Sequence, residues 1–98
     1  MIKSFYDKGT AEDIFDRRNS KEARKTCPEN IWPVAQRKLD QLNSVVSLHS
    51  LGIPPENKLE VLSKDRFGQH SIRINAKFRV CFIWAEEGPE RVKITDYH

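Results

Sequence analysis

The sequence predicts a two-layer α+β domain in the order β-α-α-β-β-β-β, a mostly antiparallel, twisted meander with two helices packed on one face. Three observations carry that prediction. Ala35, Leu39, Leu42 and Val46 recur at steps of four, three and four, the stripe of one buried helix face. After the Pro54-Pro55 breaker the apolar period drops to two and stays there. Gln69 to Trp84 then reads as two strands back to back, with a further turn at Glu86 to Glu90. At 98 residues the chain makes one domain, residues 1–98, with one modest core.

In order, residues 2–6 read as a short strand with Ile2 and Phe5 toward the core. Gly9 breaks it. Thr10, with Asp13 three residues on, opens a helix that turns Ile14 and Phe15 inward and fades by Arg18. Ser20 to Glu29 is polar, basic and holds Pro28, so it reads as exposed linker or the frayed end of that helix. Asn30 is the expected N-cap of the longer second helix, with Pro33 in its first turn, where a missing N–H loses no helical bond. Arg37, Lys38, Asp40 and Gln41 fall outside the apolar stripe and are expected to face water. Leu48 to Pro55 ends the helix. Lys58 to Leu62 forms a short strand, 63–68 a polar turn, and Arg91 to Tyr97 the last strand with Val92 and Ile94 inward.

Folding the 69–84 stretch about Ala76 sets Ile74 against Phe78, Ile72 against Val80, and Arg73 against Arg79 on the other face. Folding the next hairpin about Gly88 pairs Trp84 with Val92, Phe82 with Ile94 and Arg79 with Tyr97. Both registers put apolar against apolar, and a one-residue slip would flip every face. Like charges opposed across a sheet cost stability, so the arginine pair points to an anion, and phosphate is the expected one.

Charge supports a polyanionic partner. Lys58, Lys64, Arg66, Arg73, Lys77 and Arg79 stand against only Glu60 and Asp65 in that stretch, although the net charge is only +3. Arg17, Arg18, Lys21, Arg24 and Lys25 form a second basic block, opposed by Glu22. A solvated basic surface is the plainer reading of either. No apolar run is long enough for a membrane helix, and the first residues lack the apolar core of a signal peptide, so cytoplasm is the expected compartment. Cys27 and Cys81 are too few for a disulfide framework or a zinc site, and Cys81 reads as a buried thiol.

The inferred registers set Arg73, Arg79 and Tyr97 in a row, with Asp96 and His98 beside Tyr97. Cutting RNA by attack of its own 2′-OH needs a base, an acid and fixed cations on the crowded phosphate. Arginine's planar fork fits two phosphate oxygens and stays charged. Histidine exchanges protons near neutrality, and tyrosine can donate one. No metal-ligand cluster is apparent, which favours a metal-free route without cofactors. Each residue also has a plainer reading. A terminal histidine is commonly frayed, Tyr97 fits a rim aromatic, and Glu60 can pair with Arg73 or Arg79 and neutralise them. His70 falls on the core face and reads as packing at the strand's edge.

Gly68-Gln69-His70-Ser71-Ile72-Arg73-Ile74-Asn75, the pair Phe78-Arg79, the ending Ile94-Thr95-Asp96-Tyr97-His98 and the opening Met1-Ile2-Lys3-Ser4-Phe5 resemble the HigB toxins of the RelE/ParE superfamily. The resemblance is strong over the first six and last forty residues or so. It implies a RelE-like fold and the toxin of a type II toxin–antitoxin system, a ribosome-dependent endoribonuclease that cuts mRNA and stops translation. Its implied partner is a HigA-type helix-turn-helix antitoxin, and operator DNA is met only through that complex. By position, Arg73 and Arg79 would hold the scissile phosphate, with Asp96, Tyr97 and His98 as the catalytic tail and His98 as proton carrier. Lys58, Lys64, Arg66 and Lys77 are the expected RNA-binding cations. Where some members of the family carry a histidine and a lysine before the basic turn, this chain has Glu60 and Ser63, which predicts weak activity. Two other classes fit the same fold: a ParE-like, non-enzymatic inhibitor of DNA gyrase, and a plain RNA-binding accessory protein.

Overall fold

The computed structural model describes residues 1–7, 10–62 and 68–96. These form an α+β fold, with four short α-helices over a four-stranded antiparallel sheet of order β1-β2-β3-β4. The helices are α1 (Ala11–Phe15), α2 (Lys21–Thr26), α3 (Trp32–Ser44) and α4 (Leu48–Leu51). The strands are β1 (Glu60–Val61), β2 (Gln69–Arg73), β3 (Phe78–Ala85) and β4 (Gly88–Asp96). Gly9 and the expected polar turn at 63–67 lie outside the described residues.

The first segment follows β4 in parallel. Lys3 and Tyr6 donate backbone bonds to Pro89 and Val92, and Phe5 bridges Val92. The contact is close enough to explain Gly88, whose φ is +140° and whose missing Cβ would fall on the Met1 carbonyl oxygen.

The helical layer holds more pieces than its periodicity suggests. Ser20 caps α2 by accepting from the Ala23 N–H, so the stretch expected as linker is a helix in its own right. Only Ala23 of α2 is buried, and a six-residue helix with one buried position shows no stripe to find. Thr10 makes no cap bond into α1; its hydroxyl donates to the Asp7 carbonyl. A 3₁₀ turn at Glu29–Ile31 takes the place expected for an Asn30 cap, and α3 starts at Trp32, whose indole N–H donates to the Cys27 carbonyl. Val45 turns extended and stops α3 at Ser44, which leaves Val46 outside the helix and 94% exposed instead of in its stripe. Lys38 departs in the other direction. It was expected to face water and is buried, its ammonium donating to Asn57 Oδ1 at 2.5 Å.

The core lies between the layers. Ile14, Leu39, Leu42 and Leu51 pack from the helices against Ile72, Val80, Phe82 and Val92, and all eight are essentially inaccessible. The Arg17 fork grips the Asp40 carboxylate at 2.8 and 3.2 Å and ties the end of α1 to α3. Both side chains are half-exposed, so one cation of the second basic block is occupied on the surface rather than offered to a partner.

Candidate nucleic-acid site

The site is built on the β2–β3 hairpin, whose register is the one its alternation predicts. Ile72 faces Val80 and Arg73 faces Arg79. The turn is closed by Asn75, whose Oδ1 accepts from the Lys77 and Phe78 N–H groups.

The next hairpin is tighter than expected. Ala85 pairs with Gly88 across a two-residue turn at Glu86-Glu87, and Arg79 faces Thr95, with Val80 facing Ile94. Relative to the expected pairing the ladder is shifted by two residues near Arg79, which keeps the faces on that side but replaces Tyr97 by Thr95; nearer the turn it is shifted by three, and Trp84 faces Pro89 instead of Val92. A bulge absorbs the difference. Arg91 and Val92 together oppose Phe82, and Arg91 adopts a left-handed φ of 51°.

The two facing arginines live in different surroundings. Arg79 is 4% exposed. Its Nε donates to Ser71 Oγ at 2.7 Å, and its Nη2 to the Lys58 carbonyl at 2.6 Å and, more weakly, to the Ser71 carbonyl at 3.4 Å. Nη1 lies 3.8 Å from a Glu60 carboxylate oxygen, the expected neutralising pair. Such a buried guanidinium is fixed in orientation before any ligand arrives. Arg73, at the end of β2, is half-buried instead and lines an open groove of about 480 Å³ between α3 and the hairpin turn.

Asp96 closes β4 opposite Phe78, and so on the core side of the sheet rather than beside Arg79. With Phe78 it lines a second hollow against Arg24, Lys25 and Cys27 of the α2 end. Burial there pushes the Cys27 thiol up to about 11 despite the Trp32 indole, which marks it as an unreactive core sulfur. Lys77 sits on the exposed turn, 3.8 Å from the Asp96 carboxylate and over the Phe78 ring. Lys58 is exposed and left-handed, with a φ of 44°. Tyr97, His98, Lys64 and Arg66 lie outside the described residues. The arrangement thus brings together Arg73, Arg79 and Lys58, and sets Lys77 with Asp96 at a neighbouring corner.

Residues 3–98 match the family of RelE-like toxins of the type II toxin–antitoxin system HigB. This chain belongs to that family. It is 36% identical over 62 residues to Toxin HigB-1 of Vibrio cholerae, covering 63% of this chain and 65% of that protein. An uncharacterized protein of Haemophilus influenzae is 35% identical over 69 residues, 70% of this chain and 66% of its own. The HigB-like chain spans just under two thirds of the length of the curated relatives it matches.

Sequence reasoning missed three residues of this region. Ser71, in sequence no more than part of a motif, orients Arg79 by accepting from its Nε. Lys38 and Arg37 line the groove beside Arg73. A signal existed for Lys38, which stands three after Ala35 and four before Leu42 and therefore on the buried stripe. Its desolvation lowers its pKa, with Arg37 acting the same way and Glu56 opposing. Among the described residues, no cluster of three or more His, Cys, Asp or Glu could hold a metal ion.

Proposed function

We propose that this HigB-like chain is the toxin of a type II toxin–antitoxin pair and a ribosome-dependent endoribonuclease of the cytoplasm. It cuts mRNA by attack of a 2′-OH on the adjacent phosphate, and a HigA-type helix-turn-helix antitoxin holds it in check. The observation that carries the toxin reading is the family match across nearly the whole chain. The ribonuclease reading rests on Arg79, a cation immobilised by Ser71 and Lys58 and set opposite Arg73.

In this reading the Arg79 charge needs no reorganisation as the phosphorane charge builds, which is where a fixed cation contributes most. Arg73 holds the strand from the other side of the hairpin. Tyr97 and His98 supply the acid–base tail, with His98 moving the proton. Glu60 competes with phosphate for the Nη1 edge of Arg79, so turnover is slow.

The test is to map mRNA 5′ ends in a translating extract with wild type, His98→Ala and Arg79→Ala. New ends that appear with wild type and vanish with His98→Ala support the reading. Identical patterns for wild type and both variants, or none above background with wild type, would sink it.

A further inference from the structure

The groove beside Arg73 has a composition that the Arg79 site does not explain. Arg37 and Lys38 reach it from α3, Lys58 from the segment before β1, and Arg73 from β2. Glu56 is the one carboxylate among the described residues that line it. Lys38 is 6% exposed, and the hydrogen bond its ammonium makes is to a neutral amide, Asn57 Oδ1, itself held in place by Leu51 and Gln41. Keeping an ammonium that far from water without a hydrogen-bonded carboxylate is costly, and an incoming anion would offset the cost. Val34 and Ile74 give the same groove an apolar wall.

Lys58 joins this groove to the Arg79 site. Its carbonyl accepts from Arg79 Nη2, while the residue itself lines the groove. The left-handed backbone at Lys58 allows one residue to serve both, and it places the two cationic sites within one residue's span.

We propose that the groove formed by Arg37, Lys38, Lys58 and Arg73 is a subsite for the RNA backbone, holding a phosphodiester next to the one at Arg79, with Val34 and Ile74 against the attached sugar or base. The inference rests on the RNA reading above and extends it. Two arginine forks and a desolvated lysine suit the dispersed charge of a phosphodiester. Continuity through Lys58 favours a strand that passes from one site into the other over an acidic peptide.

The test uses the full chain and a fluorescent 2′-O-methyl oligoribonucleotide, which cannot be cut. Anisotropy is followed across a salt series for wild type, Arg37→Gln and Lys38→Met. Arg37 is exposed on α3, and its replacement leaves the core untouched. Arg37→Gln is expected to weaken binding about tenfold at 0.1 M salt and to flatten the salt dependence by about 0.7 in log–log slope, the share of one cation on a single strand. Lys38→Met, checked for a native melting transition, gives the same sign. In the mRNA cleavage assay Arg37→Gln raises the RNA concentration for half-maximal rate and spares the maximal rate.

Unchanged affinity and slope for Arg37→Gln overturn the subsite, as does a wild type that binds no oligonucleotide. Equal competition by a polyglutamate peptide of the same charge overturns it too, in favour of an acidic partner. The two readings fail separately. Loss of binding in Arg37→Gln without any cleavage by wild type leaves the subsite standing and removes the ribonuclease, and the converse result does the reverse.

Discussion

Arg73 and Arg79 occupy mirror positions on one ladder, with the same side chain, the same face and a shared cross-strand pairing. Arg79 is locked inside by Ser71 and the Lys58 carbonyl and counterbalanced by Glu60. Arg73 opens into a groove whose described lining sets four cations against one carboxylate. Both flank the same turn, so what packs around each, and not its place on the ladder, separates two uses of one residue type. Where Ser71 and the Lys58 carbonyl close over it, the guanidinium becomes part of the interior and contributes a fixed field. Where the groove leaves it open, it stays able to meet a ligand and adapt to it.

That difference is most easily broken by substitution. Arg79→Lys keeps the charge but loses the fork, leaving Ser71 Oγ or the Lys58 carbonyl without its donor. It is expected to cost about 3 kcal/mol, and on the order of 10–20 °C in Tm for a chain of this size. Arg73→Gln is expected to stay within ~0.5 kcal/mol of wild type while weakening RNA binding. Thermal melts of the two variants decide the matter. Equal melting temperatures would mean that Arg79 is no more structural than Arg73.

The part of this contrast that sequence could reveal is the pairing itself. Strict alternation from Ile72 to Val80 decides which residues share a face, the fold about Ala76 that sets Ile72 against Val80 is the one observed, and the fold class followed from the same alternation. The second hairpin was less legible because its register is set by a bulge at Arg91, a positive-φ arginine that no turn chemistry announces. Burial was the other hidden quantity. Nothing in the local pattern says that Ser71 and a carbonyl from Lys58, thirteen residues apart, converge on one guanidinium, or that Asn57 draws Lys38 inward. Such groups meet only through tertiary packing. The cost of burying them appears in no propensity.

His70, on the opposite face of β2, extends the comparison to a neutral group. It stacks on Phe82 at 5.9 Å, and its Nδ1 is buried without a hydrogen-bond partner among the described residues. Desolvation lowers its pKa below the usual 6.5. The unfolded chain therefore binds the proton more tightly than the folded one. Stability is unaffected by His70 above pH 6.5 and falls as pH drops from there through the lower folded value. His70→Phe keeps the stack and removes the titration. Urea midpoints between pH 7.5 and 5 are expected to fall more steeply for wild type than for the variant, and parallel curves would show that His70 is not desolvated.

Glu60 gives the smallest stability effect and the sharpest reading of the buried end. Its carboxylate is 44% exposed and 3.8 Å from Arg79 Nη1, too loose and too wet to hold the fold together. Glu60→Gln is expected to change stability by no more than ~0.5 kcal/mol. It also removes a negative charge that competes at Arg79, so affinity for the 2′-O-methyl oligonucleotide should rise severalfold. Arg37→Gln moves affinity in the opposite direction from the far end of the same strand path. Opposite signs in two variants of near-native stability require a ligand whose charge reaches both sites. If Glu60→Gln instead lowers Tm by several degrees and leaves affinity alone, Glu60 is the counter-ion of Arg79, and the buried arginine belongs to the scaffold alone.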